Sequence, residues 1–375
     1  MMYRIFTPYR VCPLGAHVDH QCGFVTGFAI DRGVSLEFKS TDNGKIVLTS
    51  KNYPGIVRFN IDEELERESM WGDFAKSAVY ALKKRYKLTN GFDGVIEGTL
   101  PIGGLSSSAS VILTYINALC KVNGILLTRP DLINFAILAE REFIGVNVGK
   151  LDQSCEVYCK KDSLMYLDTQ DDSVEIIPKN QSMPDFEIMI AFCGKERKLA
   201  GSAYNTRVDE CKAAAYALMA YEDMEYGKYE DTYLRDVPYG VYVEHKDRLP
   251  DNWKKRAEHY YSEQRRVKDG IKAWREGNLE AFGKLISESG HSSIENYETG
   301  SIYLKKLQDI LDNTEGVYGS RFSGAGFNGS SIAIVNPQYK QDIVEQVTQE
   351  YISSFPQLKD KFSIHFCKTA DGVEL

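Results

Sequence analysis

The chain has 375 residues, 43% hydrophobic and 26% charged, a composition that excludes a wholly disordered protein. Its formal charge of −8 supplies no electrostatic drive toward nucleic acid or an anionic membrane. No apolar run approaches the length of a membrane span and MMYRIFTPYR lacks the apolar core of a secretory signal, so the expected location is the cytoplasm.

In chain order, positions 27–60 read as strands, with VSLEFKS and KIVLTS flanking an Asn43-Gly44 hairpin signal. A short helix is expected from Gly72 to Tyr86, and the strand FDGVIEGTL follows it. That strand runs into PIGGLSSSAS at 101–110, where two glycines and three serines precede an apolar run. Val111, Ile112, Leu113, Ile116 and Leu119 recur at helical spacing until Gly124. A loop of this kind at a helix start offers N–H groups and hydroxyls to phosphate, although serine is also an ordinary N-cap. No lysine follows the glycines, so this is not a Walker A loop.

Thr128-Arg-Pro-Asp131 opens a further helix that carries ILAEREF and stops at Gly145. Polar residues 168–184 separate the strand-like runs SLMYLD and FEIMIAF, and the domain boundary is placed at about 180. Two domains, 1–180 and 181–375, suit a chain of this length. The second part is helix-rich, with late strand signals at SSIAIV and FSIHFC.

Eight cysteines are scattered without a C-x-x-C pair, so buried free thiols are expected rather than a zinc site. A literal G-x-G-x-x-G occurs at Gly324, Gly326 and Gly329, but it runs into β-rich SSIAIV instead of opening a helix. It therefore reads as a tight backbone loop and not a dinucleotide fingerprint. Near the N-terminus, PYRVCPLGAHVDHQCG (8–23) crowds His17, Asp19 and His20 beside Arg10. Three such ligands could hold a metal, but a polar pocket for a hydroxylated ligand fits the pattern better.

Together these motifs resemble the GHMP small-molecule kinases, and within them the galactokinase branch. RVCPLGAHVDH resembles R-V-N-L-I-G-E-H-T-D-Y, PIGGLSSSAS resembles P-x-G-x-G-L-S-S-S-A, and YGSRFSGAGFNGSSIAIV resembles Y-G-x-R-x-T-G-x-G-F-G-G with its following strand. AEREFIGVNVGKLDQ and HFCKTADG resemble the connecting and closing segments, so the similarity runs along nearly the whole chain. The first motif, and AYNTRVDEC at 203–211, resemble more specifically the plant galacturonokinases.

The resemblance implies an α+β, two-domain GHMP kinase fold. An N-terminal ribosomal-S5-domain-2-like α/β domain would meet a C-terminal ferredoxin-like α+β domain at the active-site cleft. It implies an ATP-dependent sugar 1-kinase using Mg²⁺, with a sugar or uronic acid and ATP as small-molecule partners and neither nucleic acid nor membrane. Asp152 matches the catalytic carboxylate and Arg10 the cation beside it. Gly103, Gly104, Leu105, Ser106, Ser107, Ser108 and Ala109 match the ATP phosphate loop, with Ser108 and Glu140 at the metal. Gly324 and Gly326 belong to the third-motif loop, and Ala16, His17, Asp19, Gly149 and Tyr204 match the sugar pocket.

The informative departure is Ala16. Galactokinases carry glutamate there, where it receives the sugar's 6-hydroxyl; a uronic acid has a carboxylate at that carbon, which glutamate would repel. The expected substrate is therefore D-galacturonate, with Lys150, Lys195 and Arg197 as candidate cations for its carboxylate. Two alternatives keep the fold: a galactokinase acting on D-galactose, or a catalytically silent sugar- and ATP-binding sensor. The serine loop, one residue shorter than the family pattern, is the reason to weigh the sensor. A mevalonate- or homoserine-type kinase is disfavoured by KLDQ and HVDH.

Overall fold

The computed structural model describes residues 1–100, 105, 107–195 and 201–374. One long strand organises the first half of the chain. β1 (Tyr3–Val11) pairs antiparallel with β2 (Phe24–Thr41), whose two halves follow different sequence patterns. Residues 24–30 are apolar or small and almost wholly buried, as in a strand covered on both faces. Further on, Val34, Leu36 and Phe38 are buried while Glu37 and Lys39 are exposed, the alternation of a strand with one wet face.

β3 (Lys45–Ser50) pairs with β4 (Ile56–Asn60), and the Asn43-Gly44 turn is present with Gly44 at φ 69. The expected β2–β3 hairpin does not form. β5 (Gly91–Gly98) lies between the two strands, antiparallel to β2 and parallel to β3. The turn sequence sets only the chain reversal. The pairing partner follows from burial, since Phe92 and Ile96 join Phe38, Ile46 and Leu48 in one core.

α1 (Asp73–Lys83) leads into β5 and packs on α2 (Ser107–Asn123), which begins at the serine loop and stops at Gly124. α3 (Arg129–Leu138) is capped by the Thr128 hydroxyl, which accepts from the Asp131 N–H at 3.2 Å. A π-helical turn, Ala139–Ile144, extends it to Gly145. α4 (Leu151–Tyr158) then packs on β1 and β2. β6 (Ser163–Asp168) joins β2 and β7 (Ser173–Pro178) joins β6. β7 lies within the stretch read as polar. Its inward Val174, Ile176 and Ile177 are masked in sequence by the acidic turn at Asp171 and Asp172.

The second sheet is antiparallel, formed by β8 (Glu187–Phe192), β9 (Val317–Phe322), β10 (Ser330–Val335) and β11 (Ser363–Cys367). Its spatial order β11-β8-β10-β9 is the 4-1-3-2 arrangement of a ferredoxin-like unit. Between β8 and β9 run α5 (Gly201–Tyr221), α6 (Tyr239–His245), α7 (Asp251–Arg275), α8 (Leu279–Glu295) and α9 (Ile302–Asp312). α10 (Lys340–Ser354) follows β10. The alternation along β8 divides its neighbours. Met189 and Ala191 meet Leu304, Leu307, Ile343 and Val347 on one side. Ile188 and Ile190 share the other core with Trp274, Phe282 and Ile286.

A division near residue 180 falls in the loop between β7 and β8. Several contacts cross it. β12 (Thr369–Ala370) pairs with β2, and Trp274 of α7 packs on Phe28 at 5.4 Å while donating to the Ile177 carbonyl at 3.0 Å. The eight cysteines are free, and seven of them are buried. No helix among the described residues is long and apolar enough to cross a membrane.

Candidate active site

A cleft of about 370 Å³ opens between the two sheets. Its polar end gathers residues that lie far apart in sequence: Arg10, Ala16, His17, Asp19, Asp152, Tyr204 and Arg321. The register of β1 on β2 slips between Pro8 and Arg10, which turns the Arg10 side chain into the cleft. Its Nε donates to Asp152 Oδ1 at 2.8 Å and its Nη1 to Ser323 Oγ at 3.2 Å. Burial alone would weaken the hold of this guanidinium on its proton; the adjoining Asp152 carboxylate more than offsets that and raises its pKa.

Asp152 sits in the first turn of α4 and is partly exposed to the cleft. Asp19 faces it, accepting from the Leu151 N–H at 3.4 Å. Burial, reinforced by the Asp152 charge, pushes the Asp19 carboxyl up to about 6. Gly149 is required here because a Cβ at that position would collide with the Asp19 carboxylate.

His17 is held in a left-handed conformation (φ 61), stacked on Tyr297 with ring centroids 4.4 Å apart. Its Nε2 is buried with no hydrogen-bond partner among the described residues. Burial, with the Arg321 charge adding to it, lowers its pKa well below the usual histidine value, so the ring is neutral. His20 Nε2 is engaged by the Tyr297 hydroxyl at 2.9 Å, and Tyr204 meets the His20 ring edge-on at 6.1 Å. His17, Asp19 and His20 therefore do not converge as metal ligands. Among the described residues a three-ligand cluster forms elsewhere, at Glu222, Glu244 and His245 on the surface.

Ser107 and Ser108, at the N-terminus of α2, line the cleft, as does Glu140. Glu140 is 4% exposed and is held by the Gln153 side-chain amide. Hydroxyl and carboxylate oxygens form a donor set that suits Mg²⁺, which also takes water and phosphate oxygens. Leu105 and Ala109 are buried behind this wall. Gly103, Gly104 and Ser106 lie outside the described residues, as does Arg197. Gly324 lines the cleft; Gly326 instead packs against the protein, where a Cβ would come 2.6 Å from the Phe322 ring. The glycine loop joins β9 to β10 as a hairpin, as the absence of a following helix implied.

Of the candidate cations for a uronate, the two among the described residues do not line the site. Lys150 is paired with Asp172 at 2.5 Å, and Lys195 lies beside Tyr303; neither lines the cleft.

Several site residues escaped the sequence reading. α7 holds the turn at residues 15–16 from two successive helical turns. Glu263 Oε1 accepts from the Gly15 N–H at 2.7 Å and the Ala16 N–H at 3.3 Å. One turn earlier, His259 Nε2 donates to the Ala16 carbonyl at 2.9 Å, and its Nδ1 meets Ser292 Oγ at 2.9 Å. A carbonyl can only accept, so the Nε2 tautomer is fixed. Buried Arg321 spans from the cleft to Ser289 at 2.6 Å. Burial would raise the Glu263 carboxyl, but Arg266, His259 and Arg321 hold it at about 2. The spacing of His259, Glu263 and Arg266 on one helix face was the available signal. The cleft is also lined by Tyr53, Met70, Trp71, Phe74, Ile96 and Tyr115, an aromatic, apolar set.

Comparison with known proteins gives the same result from sequence and from shape. Residues 73–160 match the GHMP kinases N terminal domain, and 271–353 match GHMP kinases C terminal. The chain is 37% identical to the galacturonokinase of Arabidopsis thaliana, over 99% of this chain and 93% of the relative. It is 33% identical to a galactokinase of Clostridium perfringens, over 92% and 89% of the two chains. The crystal structure of Lactococcus lactis galactokinase complexed with galactose superposes with a TM-score of 0.90 at 28% identity, covering 100% of this chain and 95% of the other.

Proposed function

The chain belongs to the GHMP kinases, in the branch of galactokinases and galacturonokinases, and we propose that it transfers the γ-phosphoryl group of ATP to the anomeric hydroxyl of D-galacturonate. The observation that carries the substrate is the pairing of Ala16 with the unpartnered Nε2 of His17 at the polar end of the cleft. A small apolar side chain leaves room for a carboxylate where the galactokinase glutamate would repel it. A neutral His17 protonated on Nε2 can donate to that carboxylate, and the negative charge would in turn raise the histidine's pKa. Arg321, buried nearby, favours an anion at the same place.

The chemistry needs few groups. Asp152 orients the anomeric hydroxyl and accepts its proton as the sugar oxygen–phosphorus bond forms and the bond to the ADP oxygen breaks. Arg10 keeps Asp152 ionised and offsets charge on the transferring phosphoryl group. Because such transition states are loose, positioning dominates, and the Arg10–Asp152 contact supplies it on one side of the reacting centre. Asp19, ionised at neutral pH, can accept from two adjacent sugar hydroxyls. The serine end of α2 suits the ATP phosphates and the aromatic wall suits a purine. Ser108 and Glu140 would hold Mg²⁺, which supplies charge neutralisation when bound.

Galactose is the second reading, supported by the 0.90 superposition on a galactokinase. A coupled ADP-release assay with galacturonate, galactose and glucuronate separates the readings. The expected result is a kcat/KM for galacturonate roughly tenfold or more above that for galactose. Strong turnover of galactose with none of galacturonate would overturn the substrate. Tight sugar binding without sugar-dependent ADP release would favour a silent sensor.

A further inference from the structure

Glu156 lies one helical turn beyond Asp152 on α4 and has no part in the chemistry above. It is fully buried, and its Oε2 has no hydrogen-bond partner among the described residues. Its Oε1 is 2.7 Å from the hydroxyl of Ser110, in the first turn of α2 behind the phosphate loop. The same hydroxyl is 3.3 Å from the Pro8 carbonyl, at the slip in β1 that aims Arg10.

A hydroxyl carries one proton, and among the described residues two acceptors claim it. The Pro8 carbonyl cannot donate. A proton on Glu156 resolves the conflict: the carboxylic acid donates to Ser110 Oγ, and Ser110 donates to Pro8. An ionised carboxylate in this place would leave one oxygen desolvated without a donor, a costly arrangement. We propose that Glu156 is a neutral carboxylic acid that positions the active site, tying α4, the start of α2 and the β1 slip into one chain of hydrogen bonds. This chain runs directly behind the Asp152–Arg10 pair and sets its distance from the serine end of α2.

The surroundings agree. Tyr9 and Arg10 face Glu156 from β1, Ser110 from α2, Glu140 from the π-helical turn, and Asp152 from its own helix. Among the described residues, the carboxy-terminal segment brings the Val373 N–H, which donates to the Glu156 main-chain carbonyl at 2.7 Å. Burial, with the Asp152 and Glu140 charges, drives the carboxyl far above its ordinary range, and Arg10 is already engaged by Asp152. A neutral group here also spares the entering triphosphate a further negative charge.

Two measurements test this on the full-length enzyme. The first is the infrared difference spectrum between the protein and its E156Q variant at neutral pH. A protonated-carboxyl C=O band that vanishes in E156Q is expected; a difference confined to carboxylate bands would overturn the proposal. Should E156Q fail to fold, S110A replaces it: the band should move when its partner hydroxyl is lost, and a spectrum without such a band overturns the idea equally. This arm is independent of which sugar is phosphorylated.

The second arm rests on the sugar-kinase reading and compares E156Q with E156L. The amide can still donate to Ser110, so E156Q should keep kcat within about threefold of the parent, while E156L loses roughly tenfold or more in kcat with KM for the sugar little changed. Equal damage in both variants would mean that the charge is required, and no kinetic change in E156L would reduce Glu156 to a packing residue. Either result contradicts the positioning role.

Discussion

At Asp152 a single carboxylate is asked to accept a proton while bound to a buried arginine at 2.8 Å. The asparagine variant keeps the shape and removes the acceptor. Asp152→Asn should lower kcat by roughly 10²–10⁴-fold with KM for ATP nearly unchanged, measured by steady-state ADP release. Asp19 makes a prediction in pH. Its carboxyl titrates at about 6, against an ordinary value of 3.8, so sugar binding should weaken as pH falls through about 6 and the acceptor becomes protonated. Stability runs the other way. The folded state holds this proton more tightly than the unfolded chain, so its contribution is present at acid pH and is lost as pH rises through about 6. Asp19→Asn should therefore raise Tm at pH 7 while raising KM for the sugar, and a lowered Tm would contradict the assigned burial cost. The identities of Arg10, Asp19 and Asp152 were legible in the chain because each sits in a motif; their mutual distances were not.

Among the elements, α7 contributes most that the sequence did not announce. Its His259 and Glu263 hold the carbonyl and the N–H groups of the turn that presents Ala16. Removing Glu263 would leave Arg266 and Arg321 as buried cations without their partner. Glu263→Ala should cost about 3–5 kcal/mol in urea unfolding and raise KM for the sugar more than KM for ATP. Trp274→Ala, about three turns further along the helix, should cost a similar ~3–5 kcal/mol through lost packing against Phe28 and Phe282, with both KM values preserved. A helix face carrying His, Glu and Arg is visible in sequence, but its docking partner, 247 and 248 residues away, is a tertiary fact. The same limit explains the strands. VSLEFKS and KIVLTS read correctly as strands, yet the insertion of β5 between them depends on which cores meet, and β7 was hidden by two aspartates at its turn.

For the whole molecule, the order of three separated motifs was enough to indicate a two-domain kinase, because each motif meets the cleft from a different element: the β1–β2 turn, the start of α2 and the β9–β10 hairpin. What joins them was not legible. The last strand pairs with β2, and Trp274 bridges the two sheets, so the walls of the cleft share cores across the proposed boundary. The substrate claim rests on one position in this frame, Ala16, held by α7 and lining the cleft. The most direct test is the ratio of kcat/KM for galacturonate to that for galactose, measured in the parent enzyme and in Ala16→Glu. The parent should favour galacturonate, and the glutamate should swing the ratio toward galactose by roughly 10²-fold, as a carboxylate repels the uronate and gains the 6-hydroxyl. A parent that favours galactose, or a ratio that the substitution leaves unmoved, would contradict the account.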